Sequence, residues 1–389
     1  MYHVGMQPQN DQVTLLGHAY RHHGDTPFGI ALPDRLMHLY IIGQTGTGKS
    51  TLLLNMARQD ARSGLGFCLI DPHGDMAKTL HASLSVPHKY WNVADATSPY
   101  GYNPLTRVSA PLRPLITSGL IDAFKKQWAD AWGARMEHLL RYAVLALLEQ
   151  PRADLRDIMR LFIEKPFLQT VIARTTDEQV RQFWLQEFPA MNYKTAFDGV
   201  APIANKLGAF LAHPILRKAI CEPDEPLRFR QIMDQSEILI VNLAKGRLGT
   251  DMANVLGGLL VSSIMNAAFS RHDLPEADRR PFLVYVDEFH SFTTTAFAGM
   301  LSEVRKYGLG LTLAHQHILQ ADRSVFEAVI GNVGSMLAFR VGALDAPTVS
   351  QQMQNVQVSD LINQPNYRAY AQIMISGEKS KPFSMTTWP

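Results

Sequence analysis

Two short runs of this sequence carry residue types that can do chemistry. Gly43-Gln44-Thr45-Gly46-Thr47-Gly48-Lys49-Ser50 fits the pattern G-x-x-x-x-G-K-[ST]. Glycines in such a loop let backbone N–H groups curl around phosphate oxygens without side-chain clash. Lys49 adds a mobile cation for the β- and γ-phosphates, and Ser50 a hydroxyl for Mg²⁺. A helix opening at Thr51 then aims its positive end at the anion. The second run, Phe282-Leu283-Val284-Tyr285-Val286, is apolar and ends in Asp287-Glu288. An acid in the position of Asp287 holds the water shell of Mg²⁺, and one in the position of Glu288 orients and polarises an attacking water. Such a pair is also common in solvated turns after strands. Its combination with the glycine loop favours ATP and Mg²⁺ as cofactors, with residues 43–51 and Asp287 on the nucleotide and Ser50 and Asp287 on the metal.

Positioning these groups requires strands before each run. Residues 36–42 (LMHLYII) form a continuous apolar stretch ending at Gly43, as in a strand buried on both faces. Helical spacing follows over 51–62, and Gly64 and Gly66 close it. GFCLI (66–70) reads as a second buried strand ending at Asp71. Strand, glycine loop, helix, strand is a βαβ unit and implies a parallel α/β sheet. Upstream, VTLLGHAY reads as a strand, and the GDTP and LPDR clusters as turns.

The texture changes at 106–230, where long helical patterns dominate. One runs over 115–150, and others over 154–162, 178–188 and 201–211. This segment holds 18 lysines and arginines against 14 aspartates and glutamates. It reads as an inserted all-α domain, leaving 1–105 and 231–389 as the nucleotide-binding domain. From Ser236 the alternation resumes. Strands are expected at EILIVNL, 281–286, 309–314, 335–341 and 367–375, with helices at 249–271, 296–307, 323–330 and 346–353. EILIVNL falls between the two chemical runs in sequence, which suggests it as the extra strand between the phosphate-loop strand and the acidic strand.

Composition narrows the class. The chain has 389 residues, 46% hydrophobic and 19% charged, which excludes a mainly disordered, collagen-like or coiled-coil protein. The formal charge of +2 does not announce a nucleic-acid surface, so any such surface must be local or built by assembly. Two cysteines, Cys68 and Cys221, suit a reducing, cytoplasmic setting. The longest apolar run, residues 255–269, falls short of a bilayer span. No zinc-ligand spacing surrounds His315 and His317, or His22 and His23.

The stretches IIGQTGTGKSTLL, LIDPHGD, YVDEFHSFTT, VRKYGLGLTLAHQ and GNVGSMLAFRVGALDA together resemble the HerA/FtsK superfamily of P-loop ATPases. Within it the sequence is most similar to type IV secretion coupling proteins of the TraD/TraG class, which pump conjugating DNA. The resemblance implies a RecA-like fold with an inserted all-α domain, a ring that is commonly a homo-hexamer, ATP between subunits and DNA on the axis. It also implies relaxase or secretion-channel partners. Arg305 sits where the family places a trans-acting arginine finger, and Gln316 where it places a γ-phosphate sensor. A helix C-terminus also favours an arginine at 305 through its dipole alone, and Lys306 and Arg340 are further finger candidates. Asp71 and His73 lie in a family stretch, DPHGD, with no role assigned. Coupling proteins usually carry an N-terminal membrane anchor, and none is read here. That leaves open a HerA-like translocase of repair, defence or packaging, or a non-hydrolysing recruitment scaffold. For DNA contact the candidates are Lys245-Gly246-Arg247, a basic patch of Lys125, Lys126, Arg135 and Arg141, and stacking by Trp128 and Trp132. An exposed turn, a solvated helix face and core packing are the respective alternatives.

Overall fold

The computed structural model describes residues 12–20, 25–191, 193–354 and 356–388. Eleven strands of the described chain form one sheet. In chain order they are β1 (Val13–Ala19), β2 (Thr26–Ala31), β3 (Leu39–Ile42), β4 (Gly66–Asp71), β5 (Lys89–Asn92), β6 (Ile238–Asn242), β7 (Phe282–Val286), β8 (Leu309–His315), β9 (Ser335–Ala338), β10 (Arg368–Gln372) and β11 (Phe383–Thr386). The spatial order is β2-β1-β11-β10-β9-β3-β8-β7-β4-β6-β5. From β9 to β5 every pairing is parallel. From β9 through β10, β11 and β1 to β2 every pairing is antiparallel.

The parallel strands are apolar along their whole length because both faces are covered. In β3, Leu39 and Ile41 enter one core with Leu283 and Tyr285 of β7. Tyr40 and Ile42 enter the other with Phe282, Val284 and Val286. Helix α1 (Lys49–Arg62) starts after Gly48 in a left-handed conformation and buries Leu52, Leu53, Met56, Ala57 and Ala61 at helical spacing. Helix α2 (Asp75–Ser83) follows β4.

A buried polar cluster ties α1 to the acidic strand. Arg35 donates to both carboxylate oxygens of Asp60 on α1, at 2.6 and 3.1 Å, and to the Tyr285 hydroxyl of β7 at 2.7 Å. The Tyr285 hydroxyl in turn donates to Asp60. Leaving one such charge buried and unpaired costs about 3–5 kcal/mol, so the cluster fixes how α1 lies on β7.

The helical stretch lies between β5 and β6. It begins with α3 (Arg113–Gln127) and continues through Ala134–Leu147, Arg156–Ile163, Lys165–Arg174, Tyr193–Ala212 and Pro214–Cys221. Tyr100–Gly101 pairs with Glu225–Pro226 where the stretch leaves and rejoins the sheet. Its Leu120, Phe124, Leu139 and Trp184 belong to the same continuous apolar core as Tyr40 and Val286. Helix α4 (Thr250–Phe269) packs on α3, and α5 (Thr295–Val304) leads towards β8. With the turn after it, α4 extends over Thr250–Asp273, long and apolar enough by length and composition to cross a membrane. It exceeds the apolar run 255–269 because flanking polar residues continue the helix, and 67% of its most apolar window is buried in the protein.

Several sequence expectations are corrected. The strand between β3 and β7 is β8, not EILIVNL, which pairs as β6 on the far side of β4. Order in a parallel sheet follows from crossover packing, which sequence position does not encode. LPDR forms a helical turn, Leu32–Arg35, with Pro33 in its first turn, where the missing N–H costs nothing. Of the GDTP cluster, Thr26 and Pro27 belong to β2, and Gly24 lies outside the described residues. The helix expected over 115–150 breaks between Trp128 and Gly133, and the strand expected over 367–375 breaks after Gln372. The sequence carries no strand signal for β11, because FSMT is short and half polar.

Candidate functional site

The two chemical runs meet at the carboxyl ends of the parallel strands. Gly43 N–H donates to His315 O at the end of β8, at 3.2 Å, and Gln44 N–H to Arg340 O just past β9, at 2.8 Å. The loop is thus pinned to both neighbours of β3. Gly48 has φ +116°, and a Cβ there would meet the rings of Tyr367 and Phe339 at 3.0–3.2 Å, so the turn requires glycine. Thr47 closes the loop, its hydroxyl donating to Gln44 O at 2.7 Å. Lys49 is 6% exposed, and its ammonium lies on the loop carbonyls of Gly43 (2.5 Å) and Gln44 (3.1 Å). Burial lowers its pKa, against the attraction of Asp287 and Glu288. Ser50 is exposed on the first turn of α1, with Thr51 half-buried beside it.

Two strands away, β7 delivers Asp287 and Glu288, 8% and 6% exposed. Asp287 N–H donates to Ile70 O of β4 at 3.2 Å, continuing the ladder and setting Asp287 beside Asp71. Glu288 is left-handed at φ +51°, a costly conformation for a non-glycine residue. Its N–H donates to Asp287 Oδ1 at 3.0 Å, and its carbonyl accepts from Ser291 N–H at 3.0 Å. Gln316, just past β8, links the runs: its amide donates to Glu288 Oε1 and accepts from the Thr45 hydroxyl at 2.8 Å.

Burial, and then the charges of Glu288 and Asp71, push the Asp287 carboxyl up to about 6 despite Lys49. Glu288 is also raised, chiefly by burial, while the Gln316 bond opposes the shift. The raised value favours the protonated folded form, so the Asp287 contribution to stability is full below about pH 4 and lost as pH rises through about 6. Asp287→Asn is therefore expected to be more stable than the parent, without nucleotide or metal, by about 3 kcal/mol above pH 7. The gain is expected to vanish below pH 4. Urea unfolding at the two pH values measures it, and an equal difference at both would contradict the assignment.

The remaining positions separate. Arg305 is exposed on the turn Arg305–Tyr307 between α5 and the start of β8, with Lys306 beside it. Gln316 is at the other end of that seven-residue strand, about 20 Å away. The structure therefore does not bring Arg305 to the loop of its own chain. Arg340 does lie at that loop: Nε donates to Gln44 Oε1 at 3.3 Å and Nη1 to Gln364 O at 3.0 Å. Asp71 closes the DPHGD turn, accepting from His73 N–H and from Ala77 N–H of α2, both at 2.9 Å.

Lys245–Leu248 is a helical turn at the rim of the site, held by Lys245 N–H to Pro72 O at 2.9 Å. Lys125 and Arg141 pair with Glu137, and Arg135 with Asp198, so these charges are offset. Lys126 turns inward. Trp128 is 6% exposed and stacked on Phe124, and Trp132 donates to Glu137 at 2.9 Å.

Sequence reasoning missed three supports of the site. Tyr367 reaches it from just before β10, its N–H donating to Thr47 O at 2.8 Å. The neutral imidazoles of His290 and His315 pack with ring centroids 5.0 Å apart. Burial first lowers their pKa values to about 4 and about 3, helped by Lys126 and Lys245 at His290 and by His290 and Lys49 at His315. His290 Nδ1 lies 3.4 Å from Glu288 Oε2. The position of His290, two residues past Glu288, was a legible signal; Tyr367 had none.

Comparison with known proteins gives a family and a fold. The family described as the central domain of helicase HerA matches residues 16–244. No curated protein matches. Among solved structures, the bacterial conjugative coupling protein TrwBdeltaN70 in its unbound form is 17% identical, with a TM-score of 0.69 over 98% of this chain and 89% of that one. TrwB in complex with ADP and Mg²⁺ gives 17% identity and a TM-score of 0.66 over 98% and 89% of the two chains. VirB4 of Thermoanaerobacter pseudethanolicus is 13% identical, with a TM-score of 0.66 over 96% of each chain. At these identities the likeness establishes the fold, a RecA-like P-loop architecture.

Proposed function

The chain belongs to the HerA helicase central-domain family, and on that premise we propose that it is a Mg²⁺-dependent ATPase that drives DNA movement in a type IV secretion-like system. The observation that carries this reading is the Thr45–Gln316–Glu288 hydrogen-bond chain. It joins the loop suited to a triphosphate to the carboxylate suited to activating water, through an amide able to respond to the terminal phosphate. The bound ligands of TrwB, ADP and Mg²⁺, agree with the donor set here. Backbone N–H groups and Lys49 suit phosphates, and the Ser50 hydroxyl and Asp287 carboxylate supply the oxygen ligands that Mg²⁺ prefers. Bound there, Mg²⁺ would offset charge on the phosphate oxygens.

The residues of the chain divide the remaining work. Lys49 leaves the loop carbonyls for the β- and γ-phosphates. Glu288, held by Gln316 and by its own N–H on Asp287, orients the attacking water and takes its proton. When the γ-phosphate departs, Gln316 loses one partner and the end of β8 shifts. Arg305, remote from its own loop, serves the neighbouring subunit of a homo-hexameric ring with DNA on its axis. The helical stretch, with its ends paired at 100–101 and 225–226, acts as the inserted domain 106–230.

The test is ATP turnover with and without duplex or single-stranded DNA, together with displacement of a third strand from a triplex. DNA-stimulated turnover with displacement is expected. Nucleotide binding with background turnover would overturn the motor reading in favour of a recruitment scaffold.

A further inference from the structure

Helix α3 ends against the segment that follows the acidic pair. Lys126, in its last turn, donates from Nζ to His290 O at 2.8 Å and Thr293 O at 2.5 Å, and lies 3.4 Å from Asp322 Oδ2. An ammonium has three donors, and here three acceptors meet it. Its side chain is 21% exposed, whereas a lysine at a helix C-terminus ordinarily extends into solvent. Gln127 adds a bond from Nε2 to Ser291 O at 3.2 Å. Three carbonyls within four residues are thus gripped from one helix end, beginning two residues after Glu288. Asp322 belongs to the other segment, six residues past Gln316, on the far side of the turn Ile318–Gln320. Glu288 and Gln316 are bonded to each other. One side chain therefore joins the helical stretch to the segments downstream of both residues placed at the terminal phosphate.

We propose that Lys126 and Gln127 form a coupling joint, through which DNA engaged by the assembly and the helical stretch set the position of Glu288, and nucleotide state is passed back. The proposal rests on the ATPase reading above, and it makes these two positioning residues. Neither touches the phosphate loop. The joint acts because the 289–293 segment has little freedom of its own. Phe289 and Phe292 are fully buried, and Glu288 is pinned at a strained φ. A displacement of α3 by a few tenths of an ångström is passed to the Glu288 backbone instead of being absorbed.

The experiment compares the parent with Lys126→Met and Lys126→Met/Gln127→Leu, full length. Methionine keeps the length and the apolar stem but removes the donors. The DNA-stimulated turnover is expected to fall at least fivefold, with KM for ATP within twofold. Amide hydrogen exchange is read with and without the non-hydrolysable ATP analogue ADPNP and Mg²⁺. In the parent, ADPNP is expected to slow exchange at 289–293 and at 121–127 together, and in the double variant at 289–293 only. Unchanged stimulation, or an α3 response that survives in the double variant, overturns the joint. If Lys126→Met does not fold, Gln127→Leu and Asp322→Ala each remove one bond and should lower stimulation about twofold. Exchange coupling without turnover in the parent would sink the ATPase reading and leave the joint standing. Turnover whose stimulation ignores the substitutions would do the reverse.

Discussion

Glu288→Gln is expected to bind ATP as the parent does and to hydrolyse it 10²–10⁴-fold more slowly, the range spanned by general-base catalysis. The substitution is nearly isosteric. Its side-chain oxygen still accepts from the Gln316 amide, and the left-handed backbone at Glu288 is set by bonds of its own N–H, to Asp287 Oδ1, and carbonyl, from Ser291 N–H, that remain. Only the capacity to take a proton is lost. Binding of a fluorescent ATP analogue and single-turnover hydrolysis separate the two effects. Turnover within threefold of the parent would show that another group activates water. A large loss of binding would show that Glu288 holds nucleotide instead.

The second large effect belongs to Arg305→Ala. An arginine reaching a phosphoryl group from a neighbouring subunit is worth roughly 10³–10⁵ in turnover, and a loss of that order is expected. Its exposure makes the change in stability small, about 0.5 kcal/mol or less, so activity and folding are separable. In an equimolar mixture with Glu288→Gln, some junctions unite an intact Arg305 with an intact Glu288. Turnover is then expected to rise well above that of either variant alone. A mixture no faster than its components would remove Arg305 from the reaction. A single variant with parental turnover would do so equally.

The parts of this molecule legible in sequence are those fixed by local chain chemistry. Gly43 to Ser50 are contiguous, and glycine there is demanded by backbone geometry within the loop itself. Asp287 and Glu288 follow an apolar run whose burial on both faces shows in its composition. What sequence concealed depends on contacts between distant segments. The placing of β8 beside β3 follows from packing of the whole sheet, and EILIVNL had the same apolar signature. Tyr367 meets Gly48 across more than three hundred residues. The inward turn of Lys126 reverses the usual behaviour of a lysine in an amphipathic helix, because three carbonyl and carboxylate oxygens of other segments happen to converge on it. The patch of Lys125, Arg135 and Arg141 looked basic only because Glu137 and Asp198 are not adjacent to all of them in sequence.

The sheet order also bears on how the chain is made. The hairpin β1–β2 is synthesised well before its sheet neighbour β11, which begins at Phe383, more than 350 residues further along the chain. Until β11 emerges, β1 has an unfilled hydrogen-bonding edge, and the hairpin rests on α1 through Leu15 and Gln59, on Arg35 through Thr14, and on the core through Leu16 and Ile30. Ribosome-bound chains stopped short of Phe383 carry that open edge, and it closes when the last strand slots between β1 and β10.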